Sequence, residues 1–473
     1  MAIKFGTDGW RAIIAEDFTF ENVRLCTQGV VRYLQQQGLA EQGLVVGYDT
    51  RFASEDFALA VAETAAGSGV KTFLSDRAAP TPVVTYNVID RRAGGAVIIT
   101  ASHNPPQWNG FKFKPEYAGS ASPEITDAIE ALIEDASREG SADAIPWAQA
   151  RSSGTGVDID PSMAYAGHVG SLVDLARLRS AGLKLVVDPM FGAGAGYLPS
   201  ILGGGSTTLQ EMHAERNPLF PGLRQPEPVA DNLTRLCERV TKTGADAGLA
   251  LDGDADRFGL VDEKGRVINP LQVFALLALY MLETRGDRGP VVKSATTSRM
   301  LYRLGEIFEV PVHETPVGFK YVGPLMEREG ALIGGEESGG YGFRGHIPER
   351  DGILSALFIL DMMVRTGRRP SKLLDHLYDL VGPHFYDRSD IPLLPGQREV
   401  VAGAIGNTNP DSVAGVKVAS SDTTDGRRFV LEDGSWVTVR LSGTEPLVRI
   451  YAEAPSQERV ESLLAEARGL VGL

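Results

Sequence analysis

Hydrophobic and polar positions along this chain fall into a plan that recurs three times. "LVVGYDTR" from Leu44, "LKLVVDPMFGAGAG" from Leu183 and "GPVVKSATTS" from Gly289 are apolar, β-branched runs that end in small or turn-forming residues, the pattern of buried strands. Each is followed, after helix-like sequence, by a second run that opens with glycine and ends in a polar loop: "GGAVIITASHNP" from Gly94, "GADAGLALDGDADR" from Gly244 and "GALIGGEESGG" from Gly330. Identity among the three is poor. Their shared order of strand, helix, strand and polar loop nevertheless predicts three related α/β units. Ligands in such sheets gather at the carboxyl ends of strands, so the three polar loops are expected to face one cleft.

The tail is different. "SWVTVRLSGTEPLVRIYAEA" predicts two strands joined by a Ser-Gly-Thr turn, and "SQERVESLLAEARGL" a helix with Val460, Leu463, Leu464 and Ala467 on one face, ended by Gly469. That suits a smaller α+β domain. Three stretches read as linkers: "REGSADAIPWAQARSSGTG" around 138–156, "DEKGRVINPL" after Asp262, and "VGPHFYDRSDIPLLPGQ". In the second, Asn269 and Pro270 are suited to cap and open a helix. The resulting division is 1–150, 155–262, 263–383 and 384–473.

Composition narrows the class. At 473 residues the chain is too long for one ordinary core, and 43% hydrophobic with 23% charged residues describes a globular protein. The net charge of −15 argues against nucleic acid or an anionic membrane as partner, so an anionic ligand would have to be held by a local cationic patch. The start "MAIKFGTDGWR" lacks the features of a signal peptide, and no run is long and uncharged enough to span a bilayer. Cys26 and Cys237 lie far apart without a metal spacing, so two free thiols in a reducing cytoplasm are expected.

Four loops could carry chemistry. In "DGDADR", Asp252, Asp254 and Asp256 stand at alternating positions of a turn, where their oxygens can converge on a hard cation such as Mg²⁺ or Ca²⁺. An EF-hand would fit these three and Glu263 at its twelfth position. It fails because Arg257 stands where that loop needs glycine, and because "AGLALD" enters as a strand. In "TASHNPPQWNGFK", Ser102 follows the strand-like "GGAVIIT" and is a candidate nucleophile, although a capped turn would also use it and serine needs a base or a metal to activate it. "GGEESGG" offers Glu336 and Ser338 to vicinal hydroxyls, with glycines that let backbone approach a ligand. "RLSGTEPLVR" places Arg440 and Arg449 around Ser442, Gly443 and Thr444, the ingredients of a phosphate cradle or of an ordinary hairpin with surface arginines.

In this order and at roughly this spacing, the four loops resemble those of the α-D-phosphohexomutases, the phosphoglucomutase and phosphomannomutase superfamily, and the resemblance begins at "FGTDGWR" and runs essentially the whole length. It implies three tandem α/β domains with mixed sheets and a smaller α+β C-terminal domain around a deep central cleft. It implies that Ser102 is the serine phosphorylated in the active enzyme, that Asp252, Asp254 and Asp256 hold Mg²⁺ with the phosphoserine, and that Glu336 and Ser338 contact sugar hydroxyls. Arg440, Ser442, Gly443, Thr444 and Arg449 would grip the non-reacting phosphate, while Arg11, Lys112, Arg257 and Lys320 would lie near the transferring group or the substrate. The activity so implied interconverts hexose 1-phosphate and hexose 6-phosphate through a 1,6-bisphosphate, glucose 1,6-bisphosphate serving as activator and intermediate.

Lys112 and His103 are candidates for acid and base. Gly340 stands where several bacterial relatives carry a histidine, with His346 as a nearby substitute. Glu337, where phosphoglucosamine mutases usually have glutamine, leans the reading to neutral hexoses, glucose before mannose, with phosphoglucosamine mutase and glucose 1,6-bisphosphate synthase as alternatives. A metal-dependent sugar phosphatase and a non-catalytic sugar-phosphate sensor are the rivals of other classes. The expected partners are small phosphosugars, the expected assembly a monomer or homodimer, and the expected compartment the cytoplasm.

Overall fold

The computed structural model describes residues 3–6, 9–140, 144–394, 396–442 and 447–472. Among these the strands form four sheets. The first orders Trp10–Ile13, Trp108–Pro115, Gly95–Ile99, Leu44–Tyr48, Thr72–Ser75 and Gly156–Ile159; the second Val267–Ile268, Phe258–Asp262, Ala247–Leu251, Lys184–Asp188 and Thr208–Glu211; the third Val312–Thr315, Val291–Ser294, Ile333–Gly335 and Tyr341–Phe343. All three are mixed, as the family resemblance implies.

Their likeness is clearest at the ends of the sheets' parallel strands. In each sheet a strand that runs parallel to its neighbour turns back at once as an antiparallel partner: Gly95–Ile99 into Trp108–Pro115, Ala247–Leu251 into Phe258–Asp262, and Ile333–Gly335 into Tyr341–Phe343. The three polar loops are these three returns. Each therefore leaves the carboxyl end of a parallel strand.

Burial accounts for the strands that lead into the first two returns and for their neighbour. Leu44–Tyr48, Gly95–Ile99 and Ala247–Leu251 are buried at every position, which fits the unbroken apolar runs of strands covered on both faces. The first unit closes its own core around Phe18, Val30, Val46, Val97 and Phe111. The second and third share one, in which helix Gly352–Thr366, buried along most of its length, packs with Pro270–Leu279 between the two sheets. The fourth sheet, Phe385–Pro392, Leu447–Ala454, Trp436–Leu441, Arg427–Leu431, Val416–Asp422 and Ser412–Val413, is antiparallel where its strands pair and packs on helix Gln457–Leu470. This is the smaller α+β domain.

The linker expectations need correction in detail. The stretch 138–156 carries helix Trp147–Ser153, and Gly156–Ile159 continues the first sheet beside Thr72–Ser75. Trp147 folds it down: its backbone N–H donates to Glu63 and its indole N–H to Asp158 at 2.8 Å. A boundary at 150 would cut that helix. Val267–Ile268 likewise pairs with Phe258–Asp262, past residue 262, before Asn269 and Gln272 form a reciprocal cap with Pro270 at the helix start. The third stretch contains Phe385–Pro392, a strand matched along its whole length to Leu447–Ala454. Its alternating partly exposed residues hide it from a search for apolar runs. The final helix passes through Gly469 and ends at Leu470, with Gly472 taking the left-handed conformation.

Candidate active site

The serine loop is built under tension. Ser102 is buried and holds φ at 51°, a left-handed backbone that is costly for a residue with a Cβ. Two neighbours fix it. Its N–H donates to Thr100 Oγ1 at 2.8 Å, and Arg51, wholly buried, donates to the carbonyls of Ser102, Asn104, Pro105 and Trp108. Asp49 answers the charge of Arg51 at 3.2 Å and accepts from Thr100 and Ser54. One buried guanidinium thus draws four carbonyl oxygens inward and leaves the Ser102 side chain turned the other way.

That side chain meets the second loop, its Oγ donating to Asp252 Oδ2 at 2.9 Å. The approach depends on Gly253, where a Cβ would overlap the Ser102 carbonyl oxygen. Thr81, at the start of helix Thr81–Arg91, donates its hydroxyl to Asp254 Oδ2 at 2.6 Å and its N–H to the Asp254 carbonyl. Lys112, buried on the return strand Trp108–Pro115, reaches Asp254 at 2.9 Å and Asp256 at 3.4 Å. Two units therefore converge on one set of charges.

Asp252, Asp254 and Asp256 are fully buried, with one oxygen from each lying within 4.8 Å of the others. Burial, followed by the neighbouring Asp256 and Asp254, pushes the Asp252 carboxyl well above the usual carboxylate range. Burial acts the same way on Asp254 but is outweighed by Lys112 and by the hydrogen bond from Thr81, which hold that carboxyl low. Oδ1 of Asp254 and Oδ1 of Asp256 are buried without a hydrogen-bond donor. Three buried carboxylates, all oxygen donors, two of them with an unused oxygen, fit a hard divalent cation.

Cations close the ring. The Arg257 N–H donates to Asp252, and its guanidinium pairs with Glu227 at 2.6 Å while lying about 4 Å from Asp252 and Asp256. Arg350 pairs with Asp256 at 2.9 Å and with Glu349 at 3.2 Å, and lies 3.7 Å from Glu336. Arg11 donates to the Asn104 side chain at 2.6 Å. His103, partly buried, has its Nδ1 3.4 Å from Ser102 Oγ; burial, then Arg257, Arg11, Arg51 and Lys112, hold its imidazole well below the usual range, so it stands neutral.

The third loop enters beside Arg350. Glu336 is buried, accepts the N–H of Gly318 at 2.9 Å, and is pushed up by burial against the pull of Arg350 and Arg257. Ser338 follows on the same turn, and Lys320 lies in the first turn of Phe319–Glu329, two residues beyond Gly318. A Cβ at Gly340 would run into the Arg350 side chain, so a larger residue there would require Arg350 to move. His346 is no substitute at that place. Its Nε2 pairs with Asp351 at 2.9 Å, its ring stacks on His168 and Tyr86, and its side chain is fully buried.

Glu337 turns away from Glu336. Its carboxylate accepts from the Tyr386 hydroxyl at 2.8 Å and from Arg388 at 3.0 Å, both on the edge strand of the fourth sheet. In that sheet Arg440 and Arg449 face each other across adjacent strands, Arg440 bound to Asp425 at 3.0 Å and Arg449 3.8 Å from Asp390. Ser442 is buried and its N–H donates to the Leu447 carbonyl; Gly443 and Thr444 lie outside the described residues.

Several members of this site escape a reading by motif. Arg51 and Asp49 were in view in "LVVGYDTR", where a charge pair directly after a buried strand is the available signal. Thr81 and Glu227 carry none that stands out. Arg350 and Glu349 sit well beyond the "GGEESGG" loop, in "PERDG", before the helix that Asp351 caps through its bond from Leu354.

Comparison with known proteins gives the chain's family. Family models of phosphoglucomutase/phosphomannomutase match in order: alpha/beta/alpha domain I over residues 2–139, domain II over 163–265, domain III over 269–381 and the C-terminal domain over 401–470. A phosphoglucomutase/phosphomannomutase of Thermococcus kodakarensis is 32% identical over 97% of this chain and 96% of its own. A probable phosphoglucosamine mutase of Methanopyrus kandleri is 32% identical over 98% and 96%, and the same designation recurs among further archaeal relatives. A solved structure from Thermus thermophilus, provisionally named a phosphomannomutase, superposes with a TM-score of 0.87 at 37% identity, covering 100% of this chain and 99% of the other.

Proposed function

Because the chain belongs to the phosphoglucomutase/phosphomannomutase family, whose members are intramolecular phosphotransferases, we propose that it moves a phosphoryl group between the 1 and 6 positions of a hexose through Ser102. The observation that carries this reading is the placement of Ser102 Oγ 2.9 Å from Asp252, at the rim of three buried carboxylates ringed by Lys112, Arg257 and Arg350.

With Ser102 phosphorylated, a free sugar hydroxyl attacks phosphorus in line. The bond to Oγ breaks, a bond to the sugar oxygen forms, and the hydroxyl proton ends, net, on Oγ, leaving a 1,6-bisphosphate. The intermediate then presents its other phosphate, and the reverse transfer restores phosphoserine. Asp252, Asp254 and Asp256 would hold Mg²⁺, whose charge offsets that of the transferring group when bound. Lys112 and Arg257 add fixed positive charge at the same place. His103, with its Nδ1 3.4 Å from Oγ, is the side chain placed to carry the proton. Glu336, Ser338 and Lys320 would meet the sugar, while Arg440, Ser442, Gly443, Thr444 and Arg449 would hold the distal phosphate. Glucose 1,6-bisphosphate, or its counterpart for the true sugar, would prime the enzyme.

The choice of sugar shifts from the expectation raised by the sequence. The lean toward glucose rests on Glu337, and that carboxylate is committed to Tyr386 and Arg388. The designations of the relatives favour glucosamine phosphate as the first substrate to try, with glucose phosphate second.

The test is conversion of glucosamine 6-phosphate and of glucose 1-phosphate, each with Mg²⁺ and a trace of the matching bisphosphate, by the wild type and by Ser102→Ala. Isomerised sugar from the wild type alone supports the mutase. Net phosphate release without isomerised sugar would transfer the assignment to a phosphatase.

A further inference from the structure

The two glutamates of the sugar loop lead to the two arginines of the phosphate clamp by separate routes. Glu336 accepts the N–H of Gly318; the adjacent N–H of Val317 donates to Asp425 at 2.8 Å; and Asp425 accepts from Arg440 at 3.0 Å. Glu337 accepts from Arg388 at 3.0 Å; Arg388 pairs with Asp390 at 3.0 Å; and Asp390 lies 3.8 Å from Arg449. The second route alternates in sign: minus, plus, minus, plus.

Sheet register explains why the route runs straight. Asp390, Arg449 and Arg440 occupy directly opposed positions on three neighbouring strands, so their side chains share one face. Arg388 lies two residues from Asp390 on the same strand and thus on the same face. Two arginines directly opposed repel each other, and an anion beside each offsets that repulsion. Asp425 and Asp390 are those anions. Each is in turn oriented from the third unit, one by the backbone at Val317 and the other, through Arg388, by Glu337.

We propose, resting on the mutase reading above, that Glu337 is a positioning residue: through Arg388 and Asp390 it sets Arg449 for the substrate's distal phosphate, and it does not choose among sugars. A hexose bisphosphate that must bind with either end at the serine needs the clamp at one fixed distance from the sugar loop. The Glu337 route supplies that tie from within the loop itself. Removing it leaves the reacting centre untouched, because neither Glu337 nor Arg388 contacts Ser102 or the three aspartates.

The experiment compares wild type, Glu337→Ala, Arg388→Ala, Arg388→Lys and the double alanine variant, using the sugar phosphate that the wild type turns over best. Coupling relayed through such a chain typically changes affinity by about 2- to 30-fold. We expect KM and the constant for competitive inhibition by inorganic phosphate to rise together by that factor in each alanine variant. Turnover at saturation should change less, and Arg388→Lys should recover part of the loss. The double variant should be no worse than the single ones, since both cut the same route, and the preference between glucosamine and glucose phosphates should stay as in the wild type. A lowered melting temperature with KM and phosphate inhibition unchanged would overturn the proposal by making the contact structural only. A changed sugar preference with unchanged phosphate inhibition would overturn it by making Glu337 a reader of the sugar.

If the wild type converts no hexose phosphate, the mutase reading fails, and the route is then read by calorimetric titration with inorganic phosphate. There, Arg440→Ala defines the signal belonging to the clamp, and loss of that signal in Arg388→Ala supports the route while its persistence overturns it.

Discussion

The two ends of the site solve the problem of holding charge in opposite ways. At the serine end, Asp252, Asp254, Asp256 and Lys112 are at most 1% exposed, and each carboxylate is met by donors from more than one element. At the proposed clamp, the side chains of Arg388, Asp390 and Arg449 are 26%, 34% and 22% exposed and lie in single file. Water screens the second set and scarcely reaches the first. On the proposed reading the difference teaches where precision is demanded: bond-making at Ser102 tolerates little displacement, whereas a handle for the distal phosphate would have to admit two orientations of one ligand.

The sharpest way to break this contrast is to remove one buried charge. Asp254→Asn withdraws a carboxylate that Lys112 and Thr81 both address. We expect turnover to fall on the order of 10³-fold, the loss of several kcal/mol of electrostatic help, and Mg²⁺ affinity measured by calorimetry to weaken with it. Turnover within a few-fold of wild type would show that the triad does not serve the reaction.

Next in size is Arg51→Ala. It strips four carbonyls of their donor and leaves Asp49 buried with no ion-pair partner from that position, a change expected to cost about 3 kcal/mol of stability. Arg388→Ala, at the part-exposed end, should cost about 0–1 kcal/mol. Denaturant unfolding of both variants sharpens the comparison directly. Equal losses would erase it.

Gly253→Ala asks whether the approach of the two loops is as close as it looks. The added methyl would overlap the Ser102 carbonyl, so the aspartate loop or the serine loop must shift. We expect about 1–3 kcal/mol of destabilisation, the usual cost of overpacking, accompanied by lost turnover. A stable and fully active variant would mean that the loops separate without penalty.

How much of this was legible beforehand follows from the same physics. The three returns were visible because strands buried on both faces must be apolar throughout, and the loops ending them are polar by contrast. Ser102 and the aspartates stood out for that reason. Phe385–Pro392 was hidden because one side of an edge strand alternates with solvent, and its partner Leu447–Ala454 lies far along the chain. Arg51, Thr81 and Arg350 act on atoms distant in sequence, and no local spacing reports such pairings. Glu337 is a different case: its lean toward glucose comes from the resemblance, in which phosphoglucosamine mutases have glutamine there, and no sequence signal shows that successive side chains on the turn diverge, Glu336 to its own unit and Glu337 to the fourth sheet.

A small effect of another kind concerns Glu314, which joins the third and fourth sheets and so tests whether the softer end also gives way first in acid. Burial would raise its carboxyl, but Arg428 at 2.6 Å and Lys293 at 2.6 Å outweigh that and hold it at about 2, below its ordinary 4.5. A carboxyl held low in the folded state contributes stability that is present above pH 4.5 and disappears as pH falls from there toward 2. Because the group is partly exposed, the contribution is on the order of 1 kcal/mol. Melting temperature followed from about pH 7 to about pH 3 should therefore fall more steeply below pH 4.5 in the wild type than in Glu314→Gln, whose contact no longer titrates. Parallel curves would place the acid-sensitive contact elsewhere, and a steeper fall in the variant would reverse the sign assigned to Glu314.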